Sequence, residues 1–127
     1  MDVPENLFYS LDHQWVLVES DERIRIGITD YAQDALGGIV FVDLPELGSS
    51  LRVGEALGEV ESSKSVSEIV IPVTGEVMEI NDELESDPMK INEDPYGEGW
   101  ICVVAPEKSN FRETLLNAVA YKLLIDG

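Results

Sequence analysis

A chain of 127 residues with 26 acidic and eight basic side chains carries a formal charge of −18. Such a field repels phosphate backbones and anionic membrane surfaces, which argues against nucleic-acid and peripheral-membrane roles and favours partners with basic surfaces. With 44% hydrophobic residues, a single cysteine and no apolar window of membrane-spanning length, the composition is that of one globular domain over 1–127 without an internal disulfide.

The chain opens on MDVPENLFYS, which has no basic region and no long apolar run. It reads as neither a secretory signal nor a transit peptide, so the expected compartment is the cytoplasm. QWVLVE is the first strand-like run. RIRIGI follows, and its strict alternation puts Ile24, Ile26 and Ile28 on one face. TDYAQDALGG then reads as a helix, with Asp30 as cap, Gln33 as its third-position partner and Gly37-Gly38 as the stop.

IVFVDL, LGEVE, VSEIVI, EVMEI and WICVV are further short runs rich in β-branched and aromatic residues. Turn signals separate them at 44–48, 53–55, 74–75 and 94–97. Pro72 ends its strand or places it at an edge. Residues 76–98 hold nine carboxylates against one lysine and read as a solvated rim around short strands. A helical segment over about 110–125 closes the chain, with Asn110 and Glu113 at its start. Phe111, Leu115, Val119 and Leu123 recur every four positions there, a face able to pack on a sheet. Strands this short and this regularly punctuated predict a mainly-β sandwich or barrel.

Little in the chain points to catalysis. His13 is the only histidine, and its neighbours Asp12 and Gln14 do not supply metal-ligand spacing. No GxSxG, P-loop or HExxH motif occurs, and Cys102 lies in an apolar run as a small core residue. Neither a catalytic residue nor a metal site is expected.

One short stretch stands apart. GEVESSKSVSEIV reads as strand, small polar tip and strand, a tight hairpin over about 57–73 with Lys64 at the tip. Ser62, Ser63 and Ser65 leave the amine open. Two readings fit that position: an ordinary solvated turn lysine, or an amine that another enzyme acylates. An acylated lysine becomes a flexible arm that presents its cargo to each partner at high effective concentration.

The stretch resembles the lipoyl-attachment hairpin of the glycine cleavage system H protein family, and the likeness extends along the chain. YSLDHQWV is similar to that family's opening strand, and GITDYAQDALGGIVFVDLPELG at 27–48 to its central signature. VGEALGEVESSKSVSEIVIPVTGEVMEIN at 53–81, INEDPYGEGWI at 91–101 and the C-terminal AYKLL complete the order.

The resemblance implies a barrel–sandwich hybrid fold and a non-catalytic carrier. It implies lipoic acid in amide linkage to Lys64, with Glu61, Ser62 and Glu68 in the motif that lipoylating enzymes read. Asp12, His13 and Gln14, with the segment from Ile28 to Ala35, match the region against which the arm rests. The implied partners are a pyridoxal-phosphate glycine decarboxylase, a folate-dependent aminomethyltransferase and a flavin-dependent dihydrolipoamide dehydrogenase. The carrier would take the aminomethyl group of glycine from the first enzyme to the second, and the third would reoxidise its dithiol.

Gln14 stands where the family usually has glutamate, Gly38 where an acid is frequent and Ser65 where alanine is common. A biotin carrier would place methionines beside the lysine, where Ser63 and Ser65 stand. A lipoyl domain of a 2-oxo-acid dehydrogenase would place aspartate before it and continue into a linker. The alternative that sequence leaves open is an H-like paralogue that relays lipoate to other enzymes.

Overall fold

Nine strands and four α-helices are built from residues 1–127, all of which the computed structural model describes. The strands are β1 (Phe8–Tyr9), β2 (Gln14–Ser20), β3 (Arg23–Ile28), β4 (Ile39–Asp43) and β5 (Ser50–Leu51). They continue with β6 (Ala56–Ser62), β7 (Val66–Val70), β8 (Gly75–Ile80) and β9 (Cys102–Pro106). The helices are α1 (Asp30–Leu36), α2 (Glu83–Ser86), α3 (Lys90–Glu93) and α4 (Ala118–Asp126), with a 3-10 turn at Phe111–Thr114 before the last.

Six strands form one antiparallel sheet in the order β1-β2-β3-β9-β8-β5, and β4-β6-β7 form a second. The sheets face each other across a core of 18 buried residues. Ile24, Ile26 and Ile28 of β3 point into it, as their alternation predicts, and share it with Val42, Val60 and Ile69 from the smaller sheet. The expected mainly-β sandwich is therefore the observed fold. Cys102 is fully buried on β9, and loss of hydration drives its thiol pKa up to about 12, which keeps it an unreactive core residue.

A second apolar cluster joins the two ends of the chain. Val3, Leu7, Tyr9 and Trp15 pack there against Ala118 and Tyr121 of α4, with Tyr9 and Tyr121 stacked at 4.6 Å between ring centroids. Trp15 donates its indole N–H to the Pro95 carbonyl at 2.8 Å. Its ring lies flat over Gly27 on the neighbouring strand, where a Cβ would sit 2.6 Å from the indole. Gly27 is therefore a strand residue chosen for a close approach and not for a turn.

Two helix expectations are corrected. Thr29, not Asp30, caps α1: its side chain accepts from the Ala32 N–H. Asp30 is the first helical residue, and it accepts instead from Gln33 Nε2 at 2.8 Å and from the Asp2 N–H at 2.9 Å. Gly37 ends the helix as expected, at φ 82, where glycine carries no Cβ penalty.

The C-terminal segment is not one helix. Leu116 exchanges both backbone hydrogen bonds with Tyr9, at 2.8 and 2.7 Å, and this pairing holds Leu115–Leu116 extended. A new helix then starts under its own cap, Asn117, which accepts from the Ala120 N–H at 2.8 Å. The break puts the four-residue repeat out of phase. Phe111 is buried, but Val119 and Leu123 are 69% and 71% exposed, while Ala118 and Tyr121 form the packed face.

The acidic stretch 76–98 keeps all nine carboxylates exposed, as expected of a solvated rim. It contains a single strand, β8, and then crosses back through the one-turn helices α2 and α3. Leu84 and Ile91 anchor those turns in the core.

Candidate functional site

The β6–β7 hairpin forms as the alternation around SSKS predicts. Glu61 pairs with Val66, Val60 with Ser67 and Glu59 with Glu68, which leaves Ser63, Lys64 and Ser65 as the connecting loop. The Ser62 N–H donates to the Ser65 carbonyl at 2.8 Å and closes it. Ser62 Oγ accepts from the Lys64 N–H at 3.3 Å and the Ser65 N–H at 3.2 Å. A short hydroxyl side chain thus occupies the inside of the turn and satisfies its free donors.

Ser62 is therefore a turn-forming residue as well as a small neighbour. In Ser62→Ala the amide protons of Lys64 and Ser65 should exchange with solvent faster, read by NMR. The melting temperature should move little, because each lost bond is exposed and worth at most about 1 kcal/mol.

Lys64 projects from this loop into solvent. It belongs to none of the five ion pairs of the structure. Three carboxylates, Glu59, Glu61 and Glu68, lie on the strands behind it, the first and last directly across from each other. Register also fixes what stands beside the tip. Ser62 pairs with Ile39, the first residue of β4, so the loop lies next to the Gly37-Gly38 end of α1. Asn92 of α3 ties that corner together: its Oδ1 accepts from the Ile39 N–H at 2.8 Å, and its Nδ2 donates to the Gly37 carbonyl at 2.9 Å.

The other residues singled out from sequence separate into two places. Ala35 is exposed near the hairpin end of α1. Asp12, His13, Gln14 and Ile28 gather at the opposite end, where Gln14 pairs with Ile28 and the Thr29 N–H donates to the His13 carbonyl at 3.0 Å. Helix α1, seven residues and about 10 Å long, runs between them.

Only some of these side chains can meet another molecule. Asp12 is exposed and His13 half-buried, whereas Gln14 and Ile28 are 2% and 4% exposed. The Gln14 side-chain oxygen is taken up by the Ser10 hydroxyl, and Ile28 is a core residue.

His13 is the anchor of this second place. It holds φ 64, a left-handed conformation that histidine tolerates better than bulky residues do. Its ring lies against Tyr31 at 4.7 Å between centroids, and its Nδ1 is 2.8 Å from the Tyr121 hydroxyl. That hydroxyl also lies 2.7 Å from Thr29 Oγ1, so the cap of α1, the single histidine and the C-terminal helix share one hydrogen-bonded chain. Sequence reading did not link them, because Tyr121 is 108 residues from His13. Tyr121 had no local signal beyond being an aromatic residue in an apolar segment.

Burial lowers the pKa of His13, and Asp12 opposes the shift without cancelling it. As this is the only histidine, its imidazole proton signals should titrate in NMR with a midpoint below the ordinary value of about 6.5. The folded state binds this proton less readily than the unfolded state. The contribution is therefore complete above about pH 6.5 and is lost as pH falls through the folded midpoint. In His13→Asn, which tolerates the same φ, this part of the pH dependence of the melting temperature should vanish.

Comparison with known proteins gives a consistent result. The glycine cleavage H-protein family model matches residues 7–126. The chain is 46% identical over 127 residues to the glycine cleavage system H protein of Bacteroides thetaiotaomicron, covering 100% of both chains. It is 50% identical over 125 residues to that of Oceanobacillus iheyensis, with 98% of each covered. Its fold is similar to the crystal structure of a glycine cleavage system H protein from Mycobacterium marinum. There the TM-score is 0.89 at 38% identity, over 98% of this chain and 100% of that one.

Proposed function

The chain belongs to the glycine cleavage H-protein family, and from that premise we propose that residues 1–127 form one lipoyl-carrier domain with lipoic acid attached to Lys64. A member of this family is a carrier component of the glycine cleavage system and not one of its enzymes. One observation carries the assignment of the site: Lys64 stands unpaired on the exposed tip of a rigid hairpin, between two serines.

The chain has four lysines. Lys90 is held by Glu98 at 2.8 Å, Lys122 lies on α4, and Lys108 follows β9. Lys64 alone sits at the tip of a hairpin, between two paired strands.

Attachment asks simple chemistry of Lys64. Its Nζ gives up a proton and attacks the activated carboxyl carbon. The new C–N bond replaces the bond to the activating group, which departs. When bound, the lipoyl group supplies a disulfide that accepts the one-carbon unit of glycine. The rest of the chain holds and orients. Ser62 shapes the loop at the base of the arm, and Asn92 fixes the corner beside it. The surface from Ala35 along α1 to Asp12 and His13 offers the arm a place to rest between partners.

The partners follow from the same reading: glycine decarboxylase, aminomethyltransferase and dihydrolipoamide dehydrogenase, together with the enzyme that attaches the lipoyl group. The net charge of −18 supports partners that meet it with basic surfaces. No helix is long and apolar enough to cross a membrane.

The test is isotope exchange between bicarbonate and the carboxyl group of glycine, catalysed by purified glycine decarboxylase. Exchange should depend on the lipoylated chain and be absent with the unmodified one. A lipoylated chain that supports no exchange would point instead to the relay of lipoate to other enzymes.

A further inference from the structure

Helix α4 is apolar on both sides, and the fold uses only one of them. Ala118 and Tyr121 are buried against the N-terminal segment, and Ile125 packs beside them. Val119, Ala120, Leu123 and Leu124 take the intervening positions, and at 3.6 residues per turn they adjoin one another on the outward side. Leu123, at 71%, is the most exposed large apolar side chain of the protein. A helix that is apolar all round is ordinarily packed on every side. Here the outer side is left open to solvent.

Charge sets this face apart. Residues 114–125 contain no aspartate or glutamate, the longest such run in the chain. The other exposed apolar group is different, because Phe41 and Val66 both pair with Glu61. Only two charged residues lie on α4, Lys122 and Asp126, one turn apart along one edge of the apolar face. Neither belongs to an ion pair. Asp126 also stands at the C-terminal end of the helix, where the helix dipole disfavours a carboxylate.

We propose that the outer face of α4 binds a second copy of this chain, in a twofold pair whose α4 helices run antiparallel. Two bodies of charge −18 repel each other, so copies can meet only where few carboxylates are brought together. A carboxylate-free apolar helix meets that condition, and a twofold axis lets one patch serve both partners. In an antiparallel pair crossing at Leu123, Lys122 of one copy lies about 3 Å along the axis from Asp126 of the other, within reach of a lysine side chain. Each copy thus supplies the cation that the other's helix end lacks.

The inward side of α4 keeps Tyr121 on His13 and Thr29, and Lys64 belongs to a hairpin of the smaller sheet. Pairing through the outer side leaves those contacts and the hairpin in place. The pair displays two Lys64 hairpins on one particle. The inference holds whatever Lys64 carries.

The test is sedimentation equilibrium of the unmodified chain over a range of concentration and salt. Four apolar side chains from each copy make less than a standard interface, so the dissociation constant should be on the order of 100 µM. Raising ionic strength from about 0.01 M to 1 M shortens the screening length from about 30 Å to about 3 Å, and association should tighten roughly tenfold as repulsion is removed. Contacts with basic enzymes would weaken over the same range. Leu123→Ser should raise the dissociation constant at least roughly tenfold, the scale of one well-seated apolar anchor. Lys122→Glu should weaken the pair, and Lys122→Glu with Asp126→Lys should restore it. Phe41→Ser should behave as the unsubstituted chain. All these side chains are exposed, so circular dichroism should show every variant folded.

A chain that stays monomeric in high salt at about ten times the expected constant would overturn the proposal. Association that survives Leu123→Ser, or is lost in Phe41→Ser, would move the contact to another surface and overturn it too. A charge exchange that fails to restore the pair would remove the antiparallel arrangement. A monomeric chain whose lipoylated Leu123→Ser form loses glycine–bicarbonate exchange would give the face to glycine decarboxylase and equally overturn the second copy. Each of these results leaves the carrier reading intact.

Discussion

Replacing Lys64 by arginine should leave a chain that folds normally and carries nothing. After incubation with a lipoate ligase, lipoate and ATP, the unsubstituted protein should gain the mass of one lipoyl group. Lys64→Arg should gain none, and its support of glycine–bicarbonate exchange should fall to the level of the decarboxylase alone. The side chain is exposed and outside every ion pair, so no folded-state interaction is lost and the melting temperature should not move. Arginine keeps the positive charge among Glu59, Glu61 and Glu68. Its guanidinium does not release a proton at accessible pH, so it cannot act as the nucleophile. The variant therefore separates charge from chemistry. Lipoylation that persists in it would move the attachment point to Lys90, Lys108 or Lys122 and remove the case for this hairpin.

Local signals in the sequence account for the elements nearest that lysine. The alternation of RIRIGI, the serines between two strand-like runs, and Gly37 at the end of α1 each state a preference that a few neighbouring residues settle. The missing parts depend on contacts between residues far apart. Nothing in NFRETLLNAVAYKLL announces that Leu116 will pair with Tyr9, yet that pairing divides the segment and turns Val119 and Leu123 outward. TDYAQDALGG reads as a helix capped by Asp30, yet Thr29 is the cap, and its hydroxyl also meets Tyr121 from the far end of the chain.

IVFVDL reads as one more short run rich in β-branched and aromatic residues. Only the register against β6 reveals that its middle residues are bulged to the surface. The same holds for the region around His13. Sequence marks Asp12, His13 and Gln14 together, but the fold buries Gln14 and leaves Asp12 and His13 available. Which of three consecutive residues can be touched is a property of the sheet and not of their order.

Close approach between strands predicts the largest loss of stability. Gly58 lies on β6 near the root of the hairpin, at a register shift against β7. A Cβ there would stand 2.2 Å from the Asp43 carbonyl oxygen and 3.3 Å from its carbon. Both are backbone atoms of β4, and the β4–β6 ladder holds that segment in place. Gly97 offers a contrast, because its Cβ would meet the Asp94 carboxylate, the end of a side chain that can turn away at the cost of the hydrogen bond it accepts from the Glu98 N–H. At Gly58 relief requires the strands to separate.

Gly58→Ala should therefore cost about 2–3 kcal/mol, the upper range for overpacking. That lowers the melting temperature by roughly 10 °C in a domain of this size. Gly97→Ala should lower it much less. The functional consequence has its own signature. Well below the melting transition, Gly58→Ala should still accept a lipoyl group, since Lys64 and its loop are intact. Its rate should then fall at a lower temperature than that of the unsubstituted chain, in step with unfolding followed by circular dichroism. A melting temperature within about 2 °C of normal would mean that β4 yields easily, and the rigid base assigned to the hairpin would have to be abandoned.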